Sequence, residues 1–367
     1  MALVVEREAA EAPRLALEAS WYTDPGIFER ERTAVFARTW QYACHGSALR
    51  RAGDFVAFTI GKVPLLAVRD RQGAVRCFHN VCRHRAHALA EGCGNRAFIV
   101  CPYHGWRYDL DGRLRSAPGE DRVPGFDRSA IALGEVRTEI FCGFVFVNLD
   151  PQAAPMAQWY PGVEEELRAF VPGIDALAPV DEVVVPEACN WKVSVENYSE
   201  CYHCKLTHPT FSSGVIDPDS YDIRPQGHCL RHTTRSAQSE AMTYAIDVQN
   251  AHAADYSSWY LWPTFSFQVY PGNVLNTYLW RAEDHRSVTV TRGWYTPGGA
   301  PSEAIDRLAA QDRATTVAED IKIVESVQRG LDSGVYEPGL LVIDPDGGVM
   351  SEHSIAAIHG WLREALA

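Results

Sequence analysis

The chain has 367 residues, of which 46% are hydrophobic and 22% are charged, and its formal net charge at pH 7 is −13. This is the composition of a globular protein with enough apolar material for two cores. The acidic balance argues against non-specific nucleic-acid binding, because phosphate contacts need a basic face. The first residues are interrupted by charges and no run of about eighteen apolar residues occurs, so we expect no signal peptide, no membrane span and a cytoplasmic location.

Residues 1–40 are predicted to form an N-terminal helical segment. We expect a helix from 23 to 40, because Thr23 or Asp24 can cap it and Pro25 suits its first turn. An apolar stripe at helical spacing supports this prediction. The stripe consists of Ile27, Phe28, Val35 and Phe36.

Residues 41–150 change to a pattern of strands and turns. The stretches DFVAFTIG and VPLLAVRD are rich in strand-forming residues, and hairpins are expected through Gly73 and through Asp111-Gly112. The proline-bearing stretch DPQAAPM indicates a boundary near residue 151. We therefore predict a small all-β domain over residues 41–150.

Residues 151–367 mix helical and strand patterns. A helix is predicted from about Asn190 to Leu206, strands rich in aromatic residues over 256–296, and a long helix from Ser302 to Gly330. The fold class expected for the whole chain is therefore α+β, with a small β domain followed by a larger mixed domain.

The β region contains two short pairs of metal-binding side chains. Cys82 and His84 form a C-x-H pair. After sixteen intervening residues, Cys101 and His104 form a C-x-x-H pair. Two thiolates and two imidazoles are the ligands of a Rieske 2Fe-2S cluster, in which the cysteines hold one iron and the histidines the other. A structural zinc site is the alternative, because it uses the same four ligands. Zinc fingers usually pair Cys with Cys and His with His, so the mixed pairs favour the cluster.

A second set of possible metal ligands lies at 190–209, in NWKVSVENYSECYHCKLTHP. Glu200 and His203 share a face of a helix, whereas His208 lies about 140° round from His203. Both imidazoles can reach one metal only if the helix ends or unwinds between them, and Pro209 favours such an end. Two histidines and a carboxylate with open positions form the facial triad of non-haem Fe(II) oxygenases.

The carboxylate of that triad must come from elsewhere in the chain. Asp320 lies on an otherwise apolar face of the predicted C-terminal helix, where an unpaired buried carboxylate is costly and a metal offsets the cost. Glu319 falls on a more polar side, so periodicity favours Asp320 only modestly. The pair Cys201 and Cys204 leaves a zinc or redox C-x-x-C site as a further alternative.

The motifs CRHR with CPYHGW, NWKVSVENYSECYHCKLTHP and EDIKIVESVQRGL together resemble the α-subunits of Rieske non-haem iron oxygenases, also called the aromatic-ring-hydroxylating dioxygenase family. The resemblance runs from about residue 20 to the C-terminus. It looks closest to the branch that oxidises quaternary ammonium compounds such as carnitine, choline and betaine. NYSECYHC with HP, VESVQRGL and the late SEHSI carry that similarity.

This resemblance implies a Rieske domain and a catalytic helix-grip domain, an antiparallel sheet with long helices, over 151–367, on which segment 1–40 packs. It implies a 2Fe-2S cluster on Cys82, His84, Cys101 and His104, and a mononuclear Fe(II) on His203, His208 and Asp320. It further implies a homotrimer in which Glu200 bridges an iron-bound histidine of its own subunit and the cluster histidine His104 of the neighbouring subunit. No NAD or flavin motif occurs, so electrons for O2 come from a separate NAD(P)H-dependent flavin and iron–sulfur reductase.

Two positions depart from the family pattern. The bridging acid is commonly Asp, and Glu200 stands there in this chain. The glycine usual after C-x-H-R is replaced by Ala86, which we expect to keep the loop if its φ is negative.

The substrate is expected to contact the aromatic stretch 256–280. Aromatic rings recognise a quaternary ammonium group by cation–π attraction, although most of these rings are expected to fill a sheet core. We name Trp262, Phe267 and Tyr270 as candidate substrate-binding residues. The implied reaction is hydroxylation of a C–H bond next to nitrogen, with demethylation or C–N cleavage as the outcome.

Two other functions remain open at this point. An aromatic-ring hydroxylating oxygenase shares the same metal sites, and a non-catalytic Rieske electron carrier would lack the mononuclear iron. The sequence does not identify which ammonium compound is used.

Overall fold

The computed structural model describes residues 14–236 and 254–367, so residues 1–13 of the predicted N-terminal segment lie outside the described part. The seventeen strands of that part, in chain order, are β1 (Gln41–His45), β2 (Asp54–Ile60), β3 (Val63–Arg69), β4 (Val75–His79), β5 (Cys93–Asn95), β6 (Ile99–Val100), β7 (Arg107–Tyr108), β8 (Leu114–Ser116), β9 (Glu135–Phe141), β10 (Phe144–Asn148), β11 (Leu177–Glu187), β12 (Asp222–Gln226), β13 (Cys229–Arg235), β14 (Asp255–Leu261), β15 (Phe265–Tyr270), β16 (Val274–Asp284) and β17 (Ser287–Pro297).

The α-helices of the same part, in chain order, are α1 (Ser20–Thr23), α2 (Pro25–Glu31), α3 (Met156–Trp159), α4 (Val163–Phe170), α5 (Trp191–Tyr198), α6 (Cys204–Thr207), α7 (Pro209–Gly214), α8 (Glu303–Asp312), α9 (Ala318–Asp332) and α10 (His353–Ala365). None of them combines the length and the apolar character needed to cross a bilayer. The predicted α+β class is confirmed.

Strands before residue 150 form two antiparallel sheets. The larger has the order β1-β10-β9-β4-β3-β2-β5, and the smaller contains β6, β7 and β8. The predicted turns at Gly73 and Gly112 both connect neighbouring strands, and both glycines have positive φ. Within this region the small sheet presents the loop between β6 and β7, which carries Cys101 and His104.

Strands after residue 170 form one seven-stranded antiparallel sheet of order β11-β17-β16-β15-β14-β13-β12. Its two faces differ because successive side chains of a strand point to opposite sides. On one face, Phe265 and Phe267 pack against Phe144 and Phe146 of the first sheet, with ring centroids 4.9 to 5.9 Å apart. The opposite face is covered by helices, and the functional cavity lies there.

The N-terminal helices pack against the helix that leads to the second group of candidate ligands. Asp24 accepts a hydrogen bond from the Gly26 amide and so caps α2, as predicted, although the segment is interrupted at Asp24 and its helical part ends at Phe36. Phe36 meets Trp191 edge-on at 5.3 Å. The buried Lys192 ammonium lies 2.6 Å from the Glu31 carboxylate, which holds α5 to α2.

Candidate metal centres and a tyrosine cavity

The two C/H pairs of the β region meet at the ends of two adjacent loops. Cys82 and Cys101 are buried, whereas the His84 and His104 rings lie nearer the surface with centroids 4.6 Å apart. Gly105 adopts φ +70° and its amide bonds to the Cys101 carbonyl oxygen, which closes the second loop. The structure therefore brings two buried thiols and two more exposed imidazoles together at these loops.

This arrangement fits a cluster whose two irons have different ligands. The buried Nδ1 of His104 has no hydrogen-bond partner among the described residues, and an unpaired buried nitrogen is costly unless something binds it. Trp106 stacks on His84 at 4.8 Å, and the Tyr108 hydroxyl lies 3.3 Å from Cys82 Sγ. Sulfur ligands on the buried side and imidazoles on the outer side match the Cys and His irons of a Rieske centre.

Ala86 has φ +59°, so the condition of a negative φ, under which alanine was expected to keep the loop, is not met. Its amide bonds to the Cys82 carbonyl oxygen at 3.0 Å, and this turn needs a left-handed residue. A side chain with a Cβ pays about 1–2 kcal/mol for this conformation, which explains why glycine is usual there.

Replacing Ala86 by glycine is expected to stabilise the loop. The relief of the left-handed backbone exceeds the entropy that glycine adds to the unfolded chain, so we expect a gain of about 0.5–1 kcal/mol. Urea unfolding followed at the visible absorbance of the cluster measures it. Ala88→Gly is the matched control, because Ala88 does not have positive φ and should lose stability. A loss in both variants contradicts this account of the turn.

A second group of ligand atoms converges between the loop after α5 and the start of α9. His203 Nε2 lies 3.1 Å from His208 Nε2, and Asp320 Oδ1 lies 2.9 Å from the latter and 3.7 Å from the former. All three atoms lie within 4.8 Å of one another. Two imidazole nitrogens and one carboxylate oxygen at such separations can bind one metal ion on one side and leave its other positions open.

Two further carboxylates hold the outer nitrogens of these histidines. Glu200 Oε1 lies 2.5 Å from His203 Nδ1, and Glu319 Oε2 lies 2.8 Å from His208 Nδ1. A carboxylate on the outer nitrogen fixes which nitrogen faces inward, as is typical of metal-binding histidines. Glu319, weighed above against Asp320, therefore contacts a predicted ligand rather than the point where the ligands meet.

The electrostatic field at this point favours a cation. Burial lowers the pKa of His208, but the hydrogen bond and charge of Asp320, followed by those of Glu319, outweigh burial and raise this pKa overall. The raised pKa means that positive charge is stabilised at the ring. A metal ion bound to Nε2 would supply that charge in place of a proton.

The local backbone differs from the predicted helix 190–206. Helix α5 ends at Tyr198, before either histidine, so residues 199–203 form a turn and His208 follows the short α6. On a continuous helix His208 would lie about 140° round from His203. The interruption lets both imidazoles face one point. The predicted helix from Ser302 is capped by Ser302 and contains one π-helical turn at Arg313–Val317. Such a turn shifts the phase of the residues after it, including Asp320.

Cys201 and Cys204 are joined in a disulfide. Because both sulfurs are bonded to each other, they offer no thiolate to a metal, so this structure does not support a zinc site at Cys201 and Cys204. Both sulfurs are buried beside the histidines.

A cavity of about 50 Å³ adjoins all three converging residues and is here called the tyrosine cavity. Five tyrosines on α5, β14, β15, β16 and the segment before β12 line it. They are Tyr198, Tyr221, Tyr256, Tyr270 and Tyr278. Phe211 and the amide of Gln268 complete much of its wall, and the cavity is lined by no Lys or Arg among the described residues. Its walls are aromatic and rich in hydrogen-bond acceptors.

Only one of the three candidate substrate-binding residues lines this cavity. Tyr270 lines it, but Trp262 packs against Trp191 and Trp361, and Phe267 packs on the opposite face of the sheet against Phe144. The structure therefore does not bring Trp262 or Phe267 to the ligand cluster.

The alternation of polar and apolar side chains along a strand could have identified cavity residues that the sequence analysis missed, such as Gln268. On β15, all of whose residues are buried, the even-numbered positions are Ser266, Gln268 and Tyr270, whereas the odd-numbered positions are Phe265, Phe267 and Val269. Polar residues on one face of a fully buried sheet mark the side of a binding site, because buried polar groups need partners.

A larger cavity of about 460 Å³ lies on the other side of His203. Apolar side chains such as Val193, Val324 and Leu331 form most of its wall, and Glu196, Glu200 and Glu352 add three carboxyl groups, whereas His208 and Asp320 do not line it. We call it the acidic cavity. Since Glu200 and His203 line both cavities, they separate the tyrosine cavity from this acidic surface.

Comparison with known proteins agrees with both halves of the chain. Residues 39–127 match the Rieske [2Fe-2S] domain, and residues 174–367 match the ring-hydroxylating alpha subunit (catalytic domain). The chain is 33% identical to the carnitine monooxygenase oxygenase subunit of Escherichia coli (strain K12) over 351 residues, which cover 95% of this chain and 93% of that one.

Solved structures show the same overall arrangement. The quaternary ammonium Rieske monooxygenase CntA in complex with its substrate L-carnitine superposes with a TM-score of 0.85 at 29% identity, covering 97% of this chain and 96% of that one. Naphthalene 1,2-dioxygenase, at 20% identity, shares the fold with a TM-score of 0.78 over 96% of this chain and 92% of its own. The predicted Rieske and catalytic helix-grip arrangement is thus confirmed.

Proposed function

The chain belongs to the ring-hydroxylating α-subunit family of Rieske non-haem iron oxygenases, and from this membership we propose that it hydroxylates a C–H bond next to the nitrogen of a quaternary ammonium compound. It is an oxidoreductase whose cofactors are a Rieske 2Fe-2S cluster and a mononuclear iron, with O2 as co-substrate. As an oxygenase subunit it works with a separate reductase, which we propose to be an NAD(P)H-dependent flavin and iron–sulfur protein.

The observation that carries the substrate class is the tyrosine cavity beside His203, His208 and Asp320. A quaternary ammonium group has no N–H and is recognised mainly by the negative faces of aromatic rings, each worth about 0.5–2 kcal/mol. The tyrosine cavity offers such rings from several elements, for example Tyr256 and Tyr270 with centroids 5.5 Å apart. No Lys or Arg lines it among the described residues, and the Arg292 guanidinium, which lies 4.1 Å from the Tyr278 ring centroid, is paired with Asp312.

We propose that Cys82, His84, Cys101 and His104 hold the cluster and that His203, His208 and Asp320 hold the mononuclear iron. When bound, these centres supply electron storage and the reduction of O2. The chain's own part is to fix the histidine rings, through Glu200 and Glu319, and to hold the substrate carbon in the neighbouring cavity. Hydroxylation next to nitrogen gives an unstable product, so demethylation or C–N cleavage follows.

We further propose a homotrimer in which the cluster of one subunit serves the iron of the next. His84 lies in an exposed stretch, so its electron acceptor can be reached across the surface. Arg83 and Arg85 flank His84 with positive charge, which complements the three glutamates of the acidic cavity. Glu200 Oε1 contacts His203 Nδ1, and Glu200 Oε2 accepts hydrogen bonds from the amides of Tyr202 and His203. The bridging role adds a contact from Glu200 to His104 of the neighbouring subunit.

The three-part division proposed for the chain follows the sheets and helices. Segment 1–40 is helical at 20–23 and 25–36, strands β1 to β10 belong to 41–150, and the large sheet with helices α3 to α10 belongs to 151–367. Proteolysis at low protease concentration should cut first near residue 151 if this boundary is a linker.

Turnover with a competent reductase tests the proposed function. Choline, L-carnitine and glycine betaine are compared with benzoate and other ring substrates, and product is scored as released formaldehyde or amine. We expect at least one quaternary amine to be oxidised with coupled O2 consumption and benzoate to be inert. Oxidation of ring substrates alone would instead identify an aromatic-ring hydroxylase, and electron transfer without any oxygenation would identify a carrier.

A further inference from the structure

Gln268 is an unusual residue in the wall of the tyrosine cavity. It lies on the central strand β15 and is only 4% exposed, and its Oε1 has no hydrogen-bond partner among the described residues. Its Nε2 donates a hydrogen bond to the Tyr256 hydroxyl. The amide is therefore anchored at its nitrogen and leaves a buried acceptor beside the ligand cluster.

Neighbouring groups surround this acceptor without pairing it. Ser258 and Asn276 stand opposite Gln268 on the two adjacent strands, and the Asn276 amide nitrogen is committed to the Gly293 carbonyl oxygen at 2.9 Å. His232, also in the cavity wall, has one ring nitrogen 2.9 Å from the Tyr221 hydroxyl and the other 2.8 Å from Ser354 Oγ. Burial lowers the pKa of His232 to about 4, so this ring carries no positive charge near neutral pH.

A bound molecule can pair with this oxygen only if it brings a hydrogen-bond donor. The quaternary nitrogen has none, and a carboxylate has none and would be repelled by an amide oxygen. The cavity also offers no Lys or Arg to a carboxylate among the described residues, and the sequence of 237–253 contains neither residue. A hydroxyl group is the donor that quaternary ammonium compounds of the choline and carnitine type carry.

We propose that Gln268 is a specificity-determining residue whose Oε1 accepts a hydrogen bond from a hydroxyl group of the substrate. The substrate class is then a hydroxylated quaternary ammonium compound, held by the tyrosine rings at its nitrogen and by Gln268 at its hydroxyl. This inference rests on the proposed function and narrows it. An analogue that lacks the hydroxyl leaves the buried oxygen unpaired, and sites built to bind a hydroxyl discriminate strongly against such analogues.

Two substrate pairs test this role, one in which the hydroxyl is absent and one in which a methyl group replaces its hydrogen. L-carnitine is compared with γ-butyrobetaine, which lacks its hydroxyl, and choline with its methyl ether. For whichever pair is turned over, we expect kcat/KM of the wild-type enzyme to favour the hydroxylated member by roughly tenfold to a hundredfold. In Gln268→Met, which keeps the chain length but removes the acceptor, this preference should disappear while the member without a hydroxyl is still oxidised.

The possible outcomes separate this inference from the proposed function. Equal kcat/KM for both members of a pair in the wild type, or a preference that persists in Gln268→Met, overturns the role of Gln268 and leaves the proposed function standing. If no quaternary amine is oxidised, the proposed function fails and this role fails with it. Should Gln268→Met not fold, judged by loss of turnover of both members and of the cluster spectrum, the wild-type ratio decides alone.

Discussion

Alanine at His208 or Asp320 is expected to abolish oxygenation, with kcat lowered by more than about a thousandfold, while the visible spectrum of the cluster stays unchanged. Each substitution removes one of three ligand atoms that lie within 4.8 Å of one another. Losing the bound metal removes several kcal/mol of charge stabilisation, and each 1.36 kcal/mol corresponds to tenfold in rate. Product formation and bound iron are measured on the same samples.

Glu319→Gln is the control for these two substitutions. The Glu319 carboxylate contacts the outer nitrogen of His208 and does not reach the point where the ligand atoms converge. Substitution of a residue that orients a ligand typically costs about 10- to 100-fold in metal affinity or activity, so activity should fall but remain measurable. Asp320→Ala with normal activity, or Glu319→Gln with as large a loss as Asp320→Ala, would show that the ligand assignment between these neighbours is wrong.

Replacing Glu200 by glutamine is expected to slow electron transfer from the cluster without removing either iron centre. The carboxylate holds His203 Nδ1 and faces the acidic cavity, where the neighbouring subunit is proposed to dock. We expect kcat to fall by roughly 100-fold, the upper range for a residue that acts through a metal ligand. The rate at which a reduced cluster is reoxidised on mixing with O2 and substrate measures this step directly.

Glu200→Asp is the matched variant, because it keeps the carboxylate and matches the residue usual in the wider family. We expect it to retain more of the reoxidation rate than Glu200→Gln. A role of Glu200 as a mere surface acid is established if Glu200→Gln reoxidises its cluster at the wild-type rate. Loss of iron from Glu200→Gln would instead mean that the residue acts only by holding His203.

The groups of candidate ligands could be predicted from the sequence because their members lie close together in the chain. Cys82 with His84, Cys101 with His104, and His203 with His208 are each separated by at most five positions, so local geometry limits where they point. The choice of Asp320 over Glu319 was less secure, since adjacent helical residues differ by only about 100° in direction. The π-helical turn at Arg313–Val317 also alters that direction and has no clear sequence signal.

Features that depend on tertiary packing could not be predicted in the same way. Helix α5 ends at Tyr198 although the sequence continues without Gly or Pro until Pro209, so the turn at 199–203 reflects the geometry of the folded site. Aromatic character alone predicts Trp262 and Phe267 as substrate contacts, but it does not reveal that Trp262 lies in the turn between β14 and β15 or which face of β15 carries Phe267. The left-handed backbone conformation of Ala86 could not be predicted either, because an alanine in the sequence gives no indication of positive φ.

Iron and acid-labile sulfide counted per chain test most directly the claim that one polypeptide holds two differently ligated iron centres. The account predicts about three irons and two sulfides in the anaerobically reconstituted wild type, and two irons and two sulfides in His208→Ala. A wild type that contains only two irons, or one that contains zinc and no sulfide, contradicts it.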